Sequence, residues 1–256
     1  MAERRKDAWQ ASLHLPLERL ERIVAGLPAI RSLKERLTGA EKPSHPAGII
    51  AEVKKASPSA GLLCAAYDPA AAAGIYAQAG AIGISVLTEP RHFLGRDEDL
   101  KQVRRAVNLP ILRKDFVSDP YQVLETRALG ADVILLIAAG LENDLLERLY
   151  SLALAIGLDV IVEVHTRDEL ARAIPLDQAI IGVNSRDLNT LKTDLAQARD
   201  LAPLIPPLRP AIAESGIKNR QAIADLQACG YRGFLVGETL MKSDNAAATL
   251  RALMGC

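Results

Sequence analysis

Three features of the sequence predict an α/β fold, a closed (β/α)8 TIM barrel with an additional N-terminal helix. A unit recurs along the chain: an amphipathic helical stretch, a glycine near its end, then a short run of Ile, Val and Leu. The apolar runs are nearly continuous rather than alternating, as in strands of a parallel sheet covered on both faces. Four copies of this unit are plain, and further strand candidates bring the βα units to eight within 256 residues, a length at which single α/β barrels are common.

In chain order, residues 1–47 read as an N-terminal extension. Leu15 to Leu37 carries an amphipathic helical pattern expected to pack across one barrel end, and polar Thr38 to Ala47, with Pro43 and Pro46, reads as a linker or turn. Residues 48–256 read as the barrel, the two parts making one domain. Strands are predicted at Gly48 to Val53, Ile82 to Leu87, Pro110 to Lys114, Asp132 to Ala138, Asp159 to Val164, Ala179 to Asn184, Pro210 to Glu214 and Arg232 to Val236. Helical patterns follow at Pro69 to Ala79, Asp97 to Val107, Pro120 to Leu129, Asn143 to Ile156, Arg167 to Ile174, Asp194 to Leu201, Asn219 to Ala228 and Asn245 to Met254. Gly80, Gly130, Gly157 and Gly230 stand where a left-handed helix C-cap turns the chain back toward the sheet. Right-handed crossovers place each helix outside and let the eighth strand close on the first. A doubly wound open sheet competes, because periodicity does not prove closure.

Composition narrows the function classes. Hydrophobic residues make up 49% and charged residues 24%, which supplies a sizeable core and excludes a disordered chain. With 31 Lys+Arg against 31 Asp+Glu there is no sequence-wide field for nucleic acid or an anionic membrane, so any bound anion needs a local site. Cys64, Cys229 and Cys256 lie far apart, without metal-ligand spacing, and read as reduced, structural thiols. Met1 to Gln10 is charged and lacks a long apolar run, and other apolar runs are too short to span a bilayer, so the expected compartment is the cytoplasm.

In a parallel barrel the active site lies at the carboxyl ends of the strands. Five ends are charged or polar: Glu52-Val53-Lys54-Lys55, Arg113-Lys114-Asp115, Glu163-Val164-His165, Asn184-Ser185-Arg186 and Glu214-Ser215-Gly216. Strand alternation puts Glu52 and Lys54 on one side. One such charge fits a structural ion pair, but five ends together are costly unless paired, and such costs are tolerated for function. The Ser57 to Gly61 loop has the composition of a lid or of an ordinary connection. Ser215-Gly216 after the seventh strand and Gly237-Glu238 after the eighth allow the close backbone approach of a phosphate site. His165 is placed to carry a proton, although a hydrogen-bonded loop histidine is commoner; His14, His45 and His92 have no apparent partners. Asp115 and Asp187 lack the oxygen cluster of a divalent metal site and read as caps or solvated groups.

The segments Ile49 to Ser59 (IIAEVKKASPS), Leu112 to Phe116 (LRKDF), Ile181 to Leu188 (IGVNSRDL) and Ala213 to Ile217 (AESGI) closely resemble the indole-3-glycerol phosphate synthase family of tryptophan biosynthesis, in order from about Leu17 to Met254. The resemblance implies ring closure of 1-(2-carboxyphenylamino)-1-deoxyribulose 5-phosphate, with loss of carbon dioxide and water and no cofactor or metal. By motif position it implies Lys114 as the general acid at the ribulose carbonyl and Glu163 as the acid/base group of the dehydration. Lys54 would steer the substrate carboxylate, Glu52 would hold the lysines, and Asn184 would orient substrate hydroxyls. Glu214 would hydrogen-bond the substrate chain, while Ser215, Gly216, Gly237 and the backbone of Glu238 would bind phosphate, with Ser57 in the adjoining lid. Phe93, Phe116 and Leu135 would wall the anthranilate ring, and Arg186 would shape its side of the site.

Burial and Lys54 would lower the pKa of Lys114, and Glu52 and Glu163 would oppose that. Ala60 stands where relatives often carry Lys, and Cys64-Ala65-Ala66 replaces a frequently charged stretch. The partner implied is a small phosphorylated molecule, handled by a monomer with at most weak self-association. A phosphoribosylanthranilate isomerase would need a Cys/Asp pair at strand ends, and none is evident. A catalytically silent phosphate-binding barrel would have lost one of Glu52, Lys114 or Glu163, and all are present.

Overall fold

The computed structural model describes residues 1–39, 47–58, 61–63, 67–187 and 190–256. His45, Pro43, Pro46, Ala60, Leu188 and the Cys64 to Ala66 stretch lie outside them, as does Ser59 of the expected lid. Eight parallel strands form the centre: β1 Gly48–Val53, β2 Gly83–Leu87, β3 Ile111–Lys114, β4 Val133–Ile137, β5 Asp159–Val164, β6 Ile180–Asn184, β7 Ala211–Glu214 and β8 Gly233–Val236. They close into a barrel, because β8 pairs in parallel with β1, Gly233 opposite Gly48 and Val236 opposite Ala51. Closure removes the open doubly wound sheet from consideration.

Strand alternation divides the core in two. Ile50, Leu112, Val133, Leu135, Ile161, Ile180, Ile212 and Leu235 fill the barrel interior. Their neighbours, such as Ile49, Ile134, Val162 and Ile181, face the surrounding helices. Every residue of β1 is buried, which is why its sequence shows no polar alternation until the mouth.

The N-terminal extension departs from the one helix expected over Leu15 to Leu37. It forms three: α1 Ala2–His14, α2 Leu17–Ala25 and α3 Leu33–Thr38. Pro16 sits at the N-cap of α2 and Pro28 follows its end, and proline cannot continue a helix from the preceding turn. Helix α1 was hidden because its charged residues are good helix formers but give little apolar periodicity.

The extension runs from one barrel end to the other. At the mouth, Arg4 of α1 donates to both oxygens of Asp115 at 2.8 and 2.5 Å, and Arg91 donates to Asp7 at 2.7 Å. Along the wall, Ala8, Leu20 and Val24 pack with Tyr121 and Leu124. At the base, Leu33 and Leu37 of α3 enter the interior cluster, and Ser32 donates to Asp159 at 2.9 Å.

The outer helices are α4 Pro69–Gln78, α5 Asp97–Ala106, α6 Pro120–Ala128, α7 Asn143–Ala155, α8 Arg167–Ala173, α9 Ala196–Leu201, α10 Arg220–Ala228, α11 Glu238–Met241 and α12 Ala246–Met254. Side-chain caps start several: Asp68, Asp119, Thr166, Asn219 and Asn245 each accept a backbone N–H. The four C-cap glycines have φ of +104°, +94°, +78° and +104°, as the recurring unit requires. The short α11 was expected only as loop. Cys229 and Cys256 are free thiols, and both are exposed. Among the described residues no helix is long and apolar enough to cross a membrane.

Candidate active site

The inward positions of β1 run Ile50, Glu52, and then Lys54 just past the strand end, so the interior turns from apolar to charged at the mouth. The Lys54 ammonium donates to Glu52 Oε1 at 2.5 Å. Lys114, last residue of β3, donates to Glu163 Oε2 at 2.9 Å and Glu214 Oε2 at 2.8 Å. Asn184, last residue of β6, donates to Glu163 Oε1 at 3.1 Å and lies opposite Glu214 in the β6–β7 register. Glu52, Glu163 and Glu214 are buried, at 3%, 2% and 1% exposure. Three carboxylates and two ammonium groups from four strands, with Asn184 from a fifth, therefore share one rim.

Their charges are mutually dependent. Burial alone would lower the Lys114 pKa, but the carboxylates of Glu163, Glu214 and Glu52 outweigh it and raise the pKa above the ordinary lysine value. The expectation that burial and Lys54 would compete with the acids is thereby resolved in favour of the acids. Burial pushes Glu163 up, and Lys114 with His165 more than reverses this, leaving its pKa lowered. Glu214 goes the other way, to about 7, because burial and the Glu163 charge outweigh Lys114. With more carboxylates than lysines in a dry site, one acid retains its proton most easily.

These groups stand at the floor of a cavity of about 760 Å³. Glu52, Lys54, Lys114, Glu163 and Asn184 line it. One wall is apolar, with Phe93, Phe116 and Leu135, the two rings 6.5 Å apart and tilted by 59°. The other wall carries Ser215, Gly216, Gly237 and Glu238. Ser215 and Gly216 have φ of +66° and +77°, a turn that a non-glycine residue such as Ser215 rarely adopts outside functional sites. Gly237 leaves room for the ion pair beside it: a Cβ there would press on Glu52 Oε1 and reach 3.0 Å from Lys54 Nζ. Thr239 ties the two loops by donating to the Ile217 carbonyl at 2.7 Å. Ser57 and Pro58 close the rim.

Two residues sit differently from the sequence-based roles. Glu214 does not reach the cavity wall; its carboxylate lies against the Lys114 ammonium. Arg186, expected on the aromatic side, has its guanidinium 3.5 Å from the Glu238 carboxylate. Glu238 is also held at 2.7 Å by Lys242, which lowers its pKa and occupies its charge beside the Ser215-Gly216 turn.

The sequence did not single out Glu89, Thr193, Lys218 and Lys242, which line the cavity, or the Met1 side chain beside Gly140. Glu89 accepts backbone N–H groups from Arg91, His92 and Phe93 at 3.0, 2.6 and 3.2 Å, so it shapes the loop that presents Phe93. The available signal was position alone, two residues past a strand end. Asp115 is an ionic hub rather than a cap, accepting from Arg4, Thr88 and the Phe116 N–H. Among the described residues no group of three or more His, Cys, Asp or Glu could hold a metal ion.

The family model described as "Indole-3-glycerol phosphate synthase" matches residues 1–253. The chain belongs to that family. A relative of this name from Dehalococcoides mccartyi (strain ATCC BAA-2266 / KCTC 15142 / 195) is 46% identical over 252 residues, covering 97% of this chain and 95% of its own. One from Azospirillum brasilense is 46% identical over 225 residues, covering 88% and 84%. One from Burkholderia ambifaria (strain MC40-6) is 42% identical over 250 residues, covering 98% and 95%. Among solved structures, a thiamine phosphate pyrophosphorylase from Pyrococcus furiosus superposes with a TM-score of 0.62 at 15% identity, over 87% of this chain and 96% of that one, a likeness of fold alone.

Proposed function

We infer that this chain is an indole-3-glycerol phosphate synthase, closing the pyrrole ring of 1-(2-carboxyphenylamino)-1-deoxyribulose 5-phosphate with loss of carbon dioxide and water. The observation that carries the reading is the placement of Lys114. Its ammonium is fixed by two carboxylates on the cavity floor, between an aromatic wall and the wall formed by the Ser215-Gly216 and Gly237-Glu238 loops. The substrate has matching parts: an anthranilate ring, a carbonyl in the middle of its chain, and a terminal phosphate.

In our reading the ring sits against Phe93, Phe116 and Leu135, and Lys54 meets its carboxylate. Ser215, Gly216, Gly237 and the Glu238 backbone hold the phosphate, with Lys218 adding charge. This positions the carboxyl-bearing ring carbon near the carbonyl and supplies a large orientational advantage. As that carbon attacks, negative charge develops on the carbonyl oxygen, and Lys114 donates its proton there. The raised pKa keeps Lys114 charged until the far more basic alkoxide forms. Attack breaks the ring's aromaticity, and departure of carbon dioxide restores it. In the dehydration Glu163, held as a carboxylate and oriented by Asn184, takes the proton from the methylene carbon beside the nitrogen, while Lys114, reprotonated from solvent, gives the proton with which the hydroxyl leaves as water. Glu52 holds Lys54, and Arg186 with Lys242 neutralises the Glu238 side chain beside the phosphate.

We place this activity in the cytoplasm, where phosphorylated intermediates are retained, and propose that the protein acts as a monomer. Incubation of the purified protein with the carboxyphenylamino-deoxyribulose phosphate tests the function, followed by indole fluorescence. Indole-glycerol phosphate is expected to form in proportion to enzyme; no product at saturating substrate overturns the reading.

A further inference from the structure

The mechanism above leaves one buried titratable group unused. His165 lies one residue beyond β5, so alternation returns it to the side of Glu163. Its side chain is 9% exposed; Nε2 lies 3.6 Å from Glu163 Oε1 and Nδ1 lies 3.4 Å from Glu169 Oε2. Its backbone is clamped at both ends, since the N–H donates to Glu169 Oε2 at 2.7 Å and the carbonyl accepts from Gln197. Neither ring nitrogen has a hydrogen bond of ordinary geometry among the described residues, so the imidazole is held between two carboxylates mainly by charge. A surface histidine capping a loop needs none of this.

We propose that His165 is a positioning residue for Glu163, its imidazolium bridging Glu163 and Glu169 to fix the orientation and charge of the acid/base carboxylate, so that deprotonation of His165 sets a limb of the rate profile. The proposal rests on the assignment of Glu163 given above. Glu163 presents Oε2 to Lys114 and Oε1 to both Asn184 and His165, so an imidazolium completes its cage. The groups facing His165 are Glu163 from β5, Glu169 from α8 and Glu214 from β7, with the Lys114 cation beyond Glu163; Asn184 and Gln197 are neutral. Burial lowers the His165 pKa, but Glu169, Glu163 and Glu214 outweigh it and raise the pKa above 6.5. The cation therefore persists to higher pH than an ordinary imidazolium and is lost as pH rises through that raised value.

The test combines kinetics with a direct titration. His165→Gln is expected to lower kcat about tenfold, the scale of one unit of carboxyl pKa, with KM changed less than about twofold and the alkaline limb of the kcat profile abolished. Glu169→Gln removes an anion beside His165, so that limb moves to lower pH. NMR titration of ¹³C-labelled histidine gives the same answer without turnover: the His165 resonance titrates above 6.5 in the wild type, and lower in Glu169→Gln and Glu163→Gln. A limb unmoved in both His165→Gln and Glu169→Gln, or a His165 titration indifferent to both carboxylates, overturns the proposal. The two readings fail separately. If Glu163→Gln retains full turnover, the acid/base assignment falls, whereas a dead Glu163→Gln beside a fully active His165→Gln removes only the His165 role.

Discussion

At the scale of single residues, the site is governed by a surplus of negative charge in a dry rim. Glu52, Glu163 and Glu214 outnumber Lys54 and Lys114, and Glu214 absorbs the surplus by holding its proton up to about 7. A raised folded-state pKa contributes stability that is fully present below the ordinary value of 4.5 and is lost as pH rises through about 7. Wild-type unfolding free energy in urea should therefore fall between about pH 5 and 8 by on the order of 1–3 kcal/mol more than that of Glu214→Gln. Parallel pH dependences in the two proteins contradict that charge balance. At the phosphate loop the sign is simpler. Ser215→Asp sets a carboxylate against the phosphate and should raise the substrate Kd by at least about tenfold, as read by equilibrium titration; an unchanged Kd removes the loop from the binding site. Glu52, Lys54, Lys114, Glu163 and Asn184 were legible in the sequence because each is charged or polar at the end of an aliphatic run. The contact of Glu214 with Lys114 was not, because it depends on packing across the barrel: Gly182, opposite Glu163, leaves the space that the Glu214 carboxylate occupies. The ion pair of Arg186 with Glu238 was illegible for a similar reason, since Glu238 lies 52 positions away on another loop.

At the scale of elements, α3 closes the base of the barrel as the paired charges of Glu52, Lys54, Lys114, Glu163 and Glu214 close its mouth. Leu37 is 2% exposed and packs over Gly233, where a Cβ would reach 2.7 Å from Leu37 Cδ2. Leu37→Ala should cost about 2–5 kcal/mol, the range for a buried leucine whose surroundings cannot collapse; chemical denaturation measures it, and a loss under about 1 kcal/mol contradicts the plug. The eight strands were readable because apolar runs covered on both faces leave an unbroken signature. The first helices were not read correctly. In α1 the anchoring residues are Arg4 and Asp7, whose ionic partners Asp115 and Arg91 are distant in sequence, so periodicity carries no trace of them.

At the scale of the whole molecule, the extension joins both ends of the barrel, from Arg4 at the mouth to Leu33 and Leu37 at the base. We propose that residues 1–47 and 48–256 form one cooperative unit. The chain's single tryptophan, Trp9, sits on α1 and reports the extension alone. Its fluorescence and the far-ultraviolet circular dichroism of the barrel should show one coincident unfolding transition; an earlier tryptophan transition divides the molecule. The catalytic account depends on the same closure, since β3, β5 and β7 must bring their ends together before Lys114 meets its carboxylates. Kinetics of Lys114→Gln with the carboxyphenylamino-deoxyribulose phosphate test it most directly. The account predicts a fall in kcat of ~10²- to 10⁴-fold with substrate still bound, and an unchanged kcat would contradict it.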